Sequence, residues 1–129
     1  MKYVYFDAFS GISGDMILGA FLDLGADAEL FKQKIASLGL PVEINIMETK
    51  RATLRALKVD VSVHRKDKIA RKWKDIEKII NNSSFSEPVK KRASLIFKNL
   101  FIAESKVHGR DFSTTHLHEA GADDAIVDI

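Results

Sequence analysis

Two runs of strict alternation constrain this chain more than any other feature. Val42, Ile44 and Ile46 alternate with Glu43 and Asn45, and Leu57, Val59, Val61 and Val63 alternate with Lys58, Asp60 and Ser62. Period two lines the apolar residues along one face, so the runs predict a hairpin covered on one side, with the polar stretch Thr49 to Arg55 as its connection. Tyr3-Val4-Tyr5-Phe6 is a β-rich apolar run that stops at Asp7 and predicts a short buried strand. Met16 to Leu24 is apolar almost all round and predicts a buried helix that Gly25 ends. Asp27 is placed to cap a second helix with Leu30, Phe31, Ile35 and Leu38 on one face and Gly39 after it. Trp73, Ile76, Ile79 and Ile80 have helical spacing, closed by Asn81-Asn82-Ser83-Ser84. Ser86 then opens a long helix with Val89, Ala93, Ile96, Phe97, Leu100 and Val107 inward, ending at His108-Gly109. This order predicts an α/β chain of the α+β sandwich kind, open to a ferredoxin-like arrangement. Its small sheet combines the N-terminal strand and the hairpin, with helices packed on it.

The 129 residues make one domain, large enough to bury about two-thirds of the unfolded surface. No apolar run approaches the ~18 residues of a membrane span, and no signal peptide opens the chain, so a cytoplasmic location is expected. Without cysteine, disulfides, thiolate ligands and thiol nucleophiles are all excluded, and a metal must be held by His, carboxylate or backbone oxygen. Charge is partitioned. Residues 1–31 carry one Lys against five acids, residues 32–110 carry 19 bases against 8 acids, and residues 111–129 carry five acids and no base. Ten bases fall between Lys50 and Lys74. Such a block is a solvated face or a surface for an anionic partner. Apart from Trp73 it lacks the aromatics of a stacking platform, which argues against nucleic acid.

Two constellations carry chemistry. In Asp7-Ala8-Phe9-Ser10-Gly11-Ile12-Ser13-Gly14-Asp15-Met16 a strand ends, a Gly/Ser loop follows and a helix begins. Backbone N–H groups and the hydroxyls of Ser10 and Ser13 could hold an anion there. Asp7 and Asp15 would make sense beside a phosphate if a divalent cation bridged them; the alternative is a tight turn with Asp15 capping the helix. The second constellation is His116-Leu117-His118-Glu119-Ala120-Gly121-Ala122-Asp123-Asp124-Ala125-Ile126-Val127-Asp128. If the histidines lie on a strand, they share a face about 7 Å apart. If residues 122–129 are helical, Asp124 and Asp128 stand one turn apart. Imidazole suits nickel, zinc or copper, and carboxylate suits magnesium, manganese or calcium. His64 reads as a solvated strand end, and His108 as a partner of a helix dipole.

Together the two constellations resemble the LarC family of nickel-insertion proteins, which make the nickel-pincer cofactor of lactate racemase. Val59-Asp60-Val61, Asp75-Ile76 and the helix ending Lys106-Val107-His108-Gly109 are also similar. The resemblance covers only that family's N-terminal region. With the chain stopping mid-pattern at Ile129, it implies a single N-terminal domain over residues 1–129, a fragment or one half of a longer or split protein.

By resemblance the reaction is nickel insertion into pyridinium-3,5-bisthiocarboxylic acid mononucleotide. That is a chelatase step of the lyase class, using CTP with Mg²⁺ or Mn²⁺ bound by the C-terminal region, so this chain alone is expected to be inactive. Expected partners are the mononucleotide, that C-terminal region or a companion chain, and further copies in a homo-oligomer. Asp7, Ser10, Gly11, Ser13, Gly14 and Asp15 are expected to hold the mononucleotide's phosphate and a cation. His116, His118, Glu119, Asp124 and Asp128 are expected to bring Ni²⁺ to its sulfurs across one cleft. Family members often carry a His-rich run after the second hairpin strand; here it reads His64-Arg65-Lys66-Asp67-Lys68, with one His. Two other classes remain: a non-catalytic metal- or phosphate-ligand-binding module that positions a partner chain, and a phosphate-dependent enzyme using Mg²⁺ at Asp7 and Asp15.

Overall fold

The computed structural model describes residues 3–64, 69–119 and 121–129. In chain order it contains α1 (Gly14–Asp23), α2 (Ala28–Ala36), β1 (Val42–Arg51), β2 (Leu54–Val63), β3 (Arg71–Lys72), α3 (Trp73–Asn82), α4 (Glu87–His108), β4 (His116–Leu117) and α5 (Asp123–Asp128). The α+β class expected from the patterning is what is found. β1 and β2 pair antiparallel from Val42↔Val63 to Arg51↔Leu54, and β3 pairs antiparallel with β4. Among the described residues these are two separate two-stranded sheets, so no single four-stranded sheet of ferredoxin-like order forms.

The hairpin is longer than its apolar residues imply. The ladder runs on through the polar stretch, and only Ala52 and Thr53 form the turn, with Ala52 at φ 53°. Polar residues 49–55 are tolerated as strand because most of them face solvent. The expected N-terminal strand is absent: residues 3–6 belong to neither helix nor strand, and Tyr3 and Tyr5 are largely exposed. β2's outer edge is instead taken by α1. A Cβ at Gly19 would meet the Leu57 carbonyl and come within 3.8 Å of the Val59 nitrogen, so only glycine lets the helix lie on strand backbone. α1 is also less buried than its all-round apolarity predicts. Only Gly19 and Leu22 are covered, while Met16, Phe21 and Leu24 are exposed.

The main core lies elsewhere, between α3 and α4. Ile76, Ile80, Phe97, Phe101, Leu117 and Ile126 form it, and Trp73, Phe101 and Phe112 pack edge-on and tilted with ring centroids 5.8–6.1 Å apart. The inward face of α4 is therefore Phe97 and Phe101, with Ala93 and Leu100 beside them; Val89, Ile96 and Val107 face outward. Local signals did set the helix ends. Asp27 Oδ1 accepts from the N–H groups of Glu29 and Leu30 at 3.0 and 2.9 Å, and Gly109 takes φ 58° past the end of α4.

One buried ion pair joins the halves of this core. Arg71 on β3 donates to the Asp123 carboxylate and to the Gly121 carbonyl, and both charged side chains are almost wholly buried. Removing one member of such a pair strands a buried charge, whereas replacing both with apolar residues often costs little. Arg71→Ala should therefore lower the unfolding free energy in urea by about 3–5 kcal/mol, and Arg71→Met with Asp123→Leu by clearly less. A loss below about 1 kcal/mol for Arg71→Ala would show that the pair does not anchor α5.

Candidate functional site

The second constellation is built by a return of the chain along the end of α4. Gly109 N–H bonds to Lys106 O and Arg110 N–H to Ser105 O, which stops the helix. Asp111 then organises a tight turn: its carboxylate accepts from the Ser113 N–H at 2.8 Å, and its carbonyl accepts from the Thr114 and Thr115 hydroxyls. The Ser113 side-chain bond, then its backbone bond, holds the Asp111 carboxyl below the usual carboxylate range. Thr115 ends up buried, and His116 and Leu117 form β4 against β3. The extended backbone brings the His116 and His118 rings edge to face at 4.8 Å. They line a cavity of about 90 Å³ with Glu104, His108, Arg110 and Thr115. His108 Nε2 lies 3.2 Å from Glu104 Oε1, and His116 Nδ1 lies 3.3 Å from the Thr114 carbonyl.

The carboxylates of the same constellation go elsewhere. Glu119 is exposed, and its carbonyl accepts from the Ala122 N–H. α5 carries Asp124 and Asp128 toward α1, where the Asp128 side chain covers Gly14; a Cβ there would lie 2.7 Å from Asp128 Cγ. Asp128 Oδ1 is buried with no hydrogen-bond partner among the described residues. Burial raises the Asp128 pKa, and the charges of Asp15 and Asp124 raise it further. Ser13 caps α1 by position only, its hydroxyl donating to Asp15. Asp7 and Ser10 are exposed in the loop, where Gly11 takes φ 90° and its N–H bonds to Ala8 O.

The structure thus brings the second constellation to the first through Asp128, which lies on Gly14 within reach of the charges of Asp15 and Asp124, and puts the histidines on a different cavity. Among the described residues, no three His, Asp or Glu side chains are placed to hold one metal ion as they stand. Sequence reasoning set His108 aside as a dipole partner, although the Glu104-x-x-x-His108 spacing signals a paired face. Arg71 was hidden inside the basic block. Of that block, Arg65, Lys66, Asp67 and Lys68 lie outside the described residues, as does Ala120 of the second constellation. His64 is an exposed strand end, 3.1 Å from Glu43.

The model of the family described as "Nickel insertion protein" matches residues 4–129. The chain belongs to that family. It is 42% identical over its whole length to the pyridinium-3,5-bisthiocarboxylic acid mononucleotide nickel insertion protein of Acetivibrio thermocellus, covering 34% of that protein. It is 42% identical to the protein of the same name from Desulfitobacterium hafniense, covering 32%, and 44% identical to a putative nickel insertion protein of Pelobacter propionicus, covering 34%. The chain therefore spans about a third of the length of the curated relatives it matches. No solved structure matches it. No helix among the described residues is long and apolar enough to cross a membrane.

The raised Asp128 pKa has a direct consequence. A carboxyl whose folded pKa lies above its unfolded value, about 3.9, binds more protons folded than unfolded in the window between the two. Stability then falls as pH rises through that window. Asp128→Asn should raise the melting temperature at pH 7 and lose this advantage below about pH 3.5, where Asp128 is protonated in both states. An equal effect at both pH values would mean that charge at Asp128 is not what costs stability.

Proposed function

We propose that this chain takes part in inserting nickel into a pyridinium bisthiocarboxylate mononucleotide, with the histidine corner at the end of α4 as the point where the metal is held. The observation that carries the reading is the pair of imidazoles 4.8 Å apart on a cavity also lined by His108 and Glu104. Imidazole is a good nickel ligand. A site with two or three imidazoles leaves coordination positions open, which suits a metal that is substrate rather than resident and must pass to sulfur. The names of the relatives, nickel insertion proteins acting on that mononucleotide, support the same reaction.

His116 and His118 are the primary nickel ligands, with His108 able to join them once it leaves Glu104. Asp15, Asp124 and Asp128 are not placed as one ligand set, and drawn together they would offer oxygen alone, which fits a hard cation better than nickel. Mg²⁺ or Mn²⁺ with CTP, the chelatase and lyase assignment, service to lactate racemase and a cytoplasmic location extend this reading. So does a division of labour in which residues 1–129 act as one domain with a further region or companion chain, in a homo-oligomer.

Calorimetric titration with Ni²⁺ tests the assignment. The chain should bind Ni²⁺ saturably, and His116→Ala with His118→Ala should weaken binding at least tenfold. His108→Ala should have a smaller effect. Full Ni²⁺ binding by the double variant would sink the metal assignment. No binding by the unaltered chain would leave it a module that positions a partner holding the metal.

A further inference from the structure

One large hollow touches the expected sites only at Asp15. It is a cleft of about 630 Å³ between residues 4–6, α1 and the end of the hairpin. That volume is in the range of small-molecule sites, which are mostly apolar with a few placed polar groups. One wall offers Tyr5, Phe6 and Met16, with Phe6 braced edge-on by Phe21 at 5.7 Å. The other wall is the outer face of the hairpin. There Thr49 and Ala56 stand opposite each other as a small-residue floor, and Arg51 and Lys58 lie two residues further along their strands in opposite directions. Among the described residues Arg51 makes no ion pair, and Lys58 has only an exposed contact with Asp60 at 3.4 Å. A contact of that kind is worth little and is readily exchanged for a better anion. Asp23, also on the lining, is already neutralised by Arg55 at 2.6 Å. Asp15 is the remaining acid on the cleft.

We infer that this cleft is the seat of the pyridinium mononucleotide, with Arg51 and Lys58 holding its phosphate and Tyr5, Phe6 and Asp15 facing its ring. The assignment rests on the reading given under Proposed function and adds to it where the organic substrate sits. A pyridinium ring is flat, apolar in body and positively charged, which suits aromatic faces and a carboxylate. A phosphate needs cations free to turn to it, and the hairpin face supplies two. The Gly/Ser loop is a poor seat for that phosphate. The start of α1 is covered by the Asp128 carboxylate, with Asp15 beside it, so an anion there would meet negative charge in place of free N–H groups.

The test is calorimetric titration of the chain with nicotinamide mononucleotide, a pyridinium mononucleotide without sulfur, and with nicotinamide riboside, which lacks the phosphate. The mononucleotide should bind saturably and more tightly than the riboside. Arg51→Ala with Lys58→Ala should weaken the mononucleotide at least tenfold, to the level of the riboside, and leave the riboside unchanged. Tyr5→Ala should weaken both ligands, and Ser10→Ala with Ser13→Ala should leave the preference for the mononucleotide over the riboside unchanged. Ni²⁺ titration of each variant, expected to match the unaltered chain, separates loss of the ligand from loss of the fold. The inference is overturned if the unaltered chain binds neither ligand, or if the Arg51/Lys58 double variant binds the mononucleotide normally. It is also overturned if only the serine double variant loses phosphate-dependent binding. None of these results touches the nickel assignment, which fails separately if Ni²⁺ does not bind.

Discussion

Both candidate sites depend on the ion pair between Arg71 and Asp123. Arg71 reaches from β3 across to the Gly121 carbonyl and the Asp123 carboxylate at the start of α5. The same short strand pairs with β4 and so fixes the backbone of His116. Gly121 is required at this crossing, since a Cβ there would come within 2.7 Å of the Leu117 carbonyl. One desolvated guanidinium thus ties together a segment that is also anchored by buried Leu117, Ile126 and Val127. Histidines project from one end of the segment and aspartates from the other. α5 then carries Ile126 into the main core and Asp128 onto Gly14, a second junction beside the one in which Leu38 packs on that core and Lys34 and Ser37 hydrogen-bond to Ser84.

That arrangement sorts ligands by chemistry. The imidazoles gather at the end of α4, and the carboxylates gather at the start of α1. On the reading proposed above, the first set serves a borderline metal such as nickel and the carboxylates a hard cation. Asp128 is held at a cost: its buried oxygen has no partner among the described residues, and two like charges lie nearby. Buried polar atoms are nearly always satisfied, and exceptions concentrate where strain serves a role. The cleft on the outer face of the hairpin adds aromatic surface and two available cations on the other side of Asp15. The proposed seats of metal, cation and organic anion thus fall on three different kinds of surface within one small fold.

What the sequence made legible was what local chemistry decides. Period two gave the hairpin, Asp27 and Gly109 gave helix ends, and the His-Leu-His spacing gave two rings on one face. What it hid depends on partners far along the chain. Tyr3-Val4-Tyr5-Phe6 has the composition of a buried strand, yet α1 lies on the edge of β2, and the run contributes aromatic surface to a cleft instead. The helix α1 is apolar all round, but β2 and α5 leave its Met16 and Phe21 exposed. In α4 the inward face turned on Phe101, which packs with Trp73 and Phe112, residues whose proximity no periodicity reports. Arg71 looked like one more base in a basic run, and only burial opposite Asp123 distinguishes it. The expected single metal cluster of His116, His118, Glu119, Asp124 and Asp128 assumed that nearby residues stay together. A turn at Gly121 and a helix of six residues point them apart.

The proposed seat of nickel is the corner formed by His108, His116 and His118, which would hold it through imidazole nitrogen. The most direct measurement is the nickel K-edge X-ray absorption spectrum of the Ni²⁺-loaded chain. It should show nitrogen and oxygen ligands only, with the outer-shell scattering of at least two imidazoles, and that signature should vanish in the His116→Ala/His118→Ala variant. A spectrum of oxygen ligands without imidazole scattering would move the metal to Asp15, Asp124 and Asp128 and contradict the account.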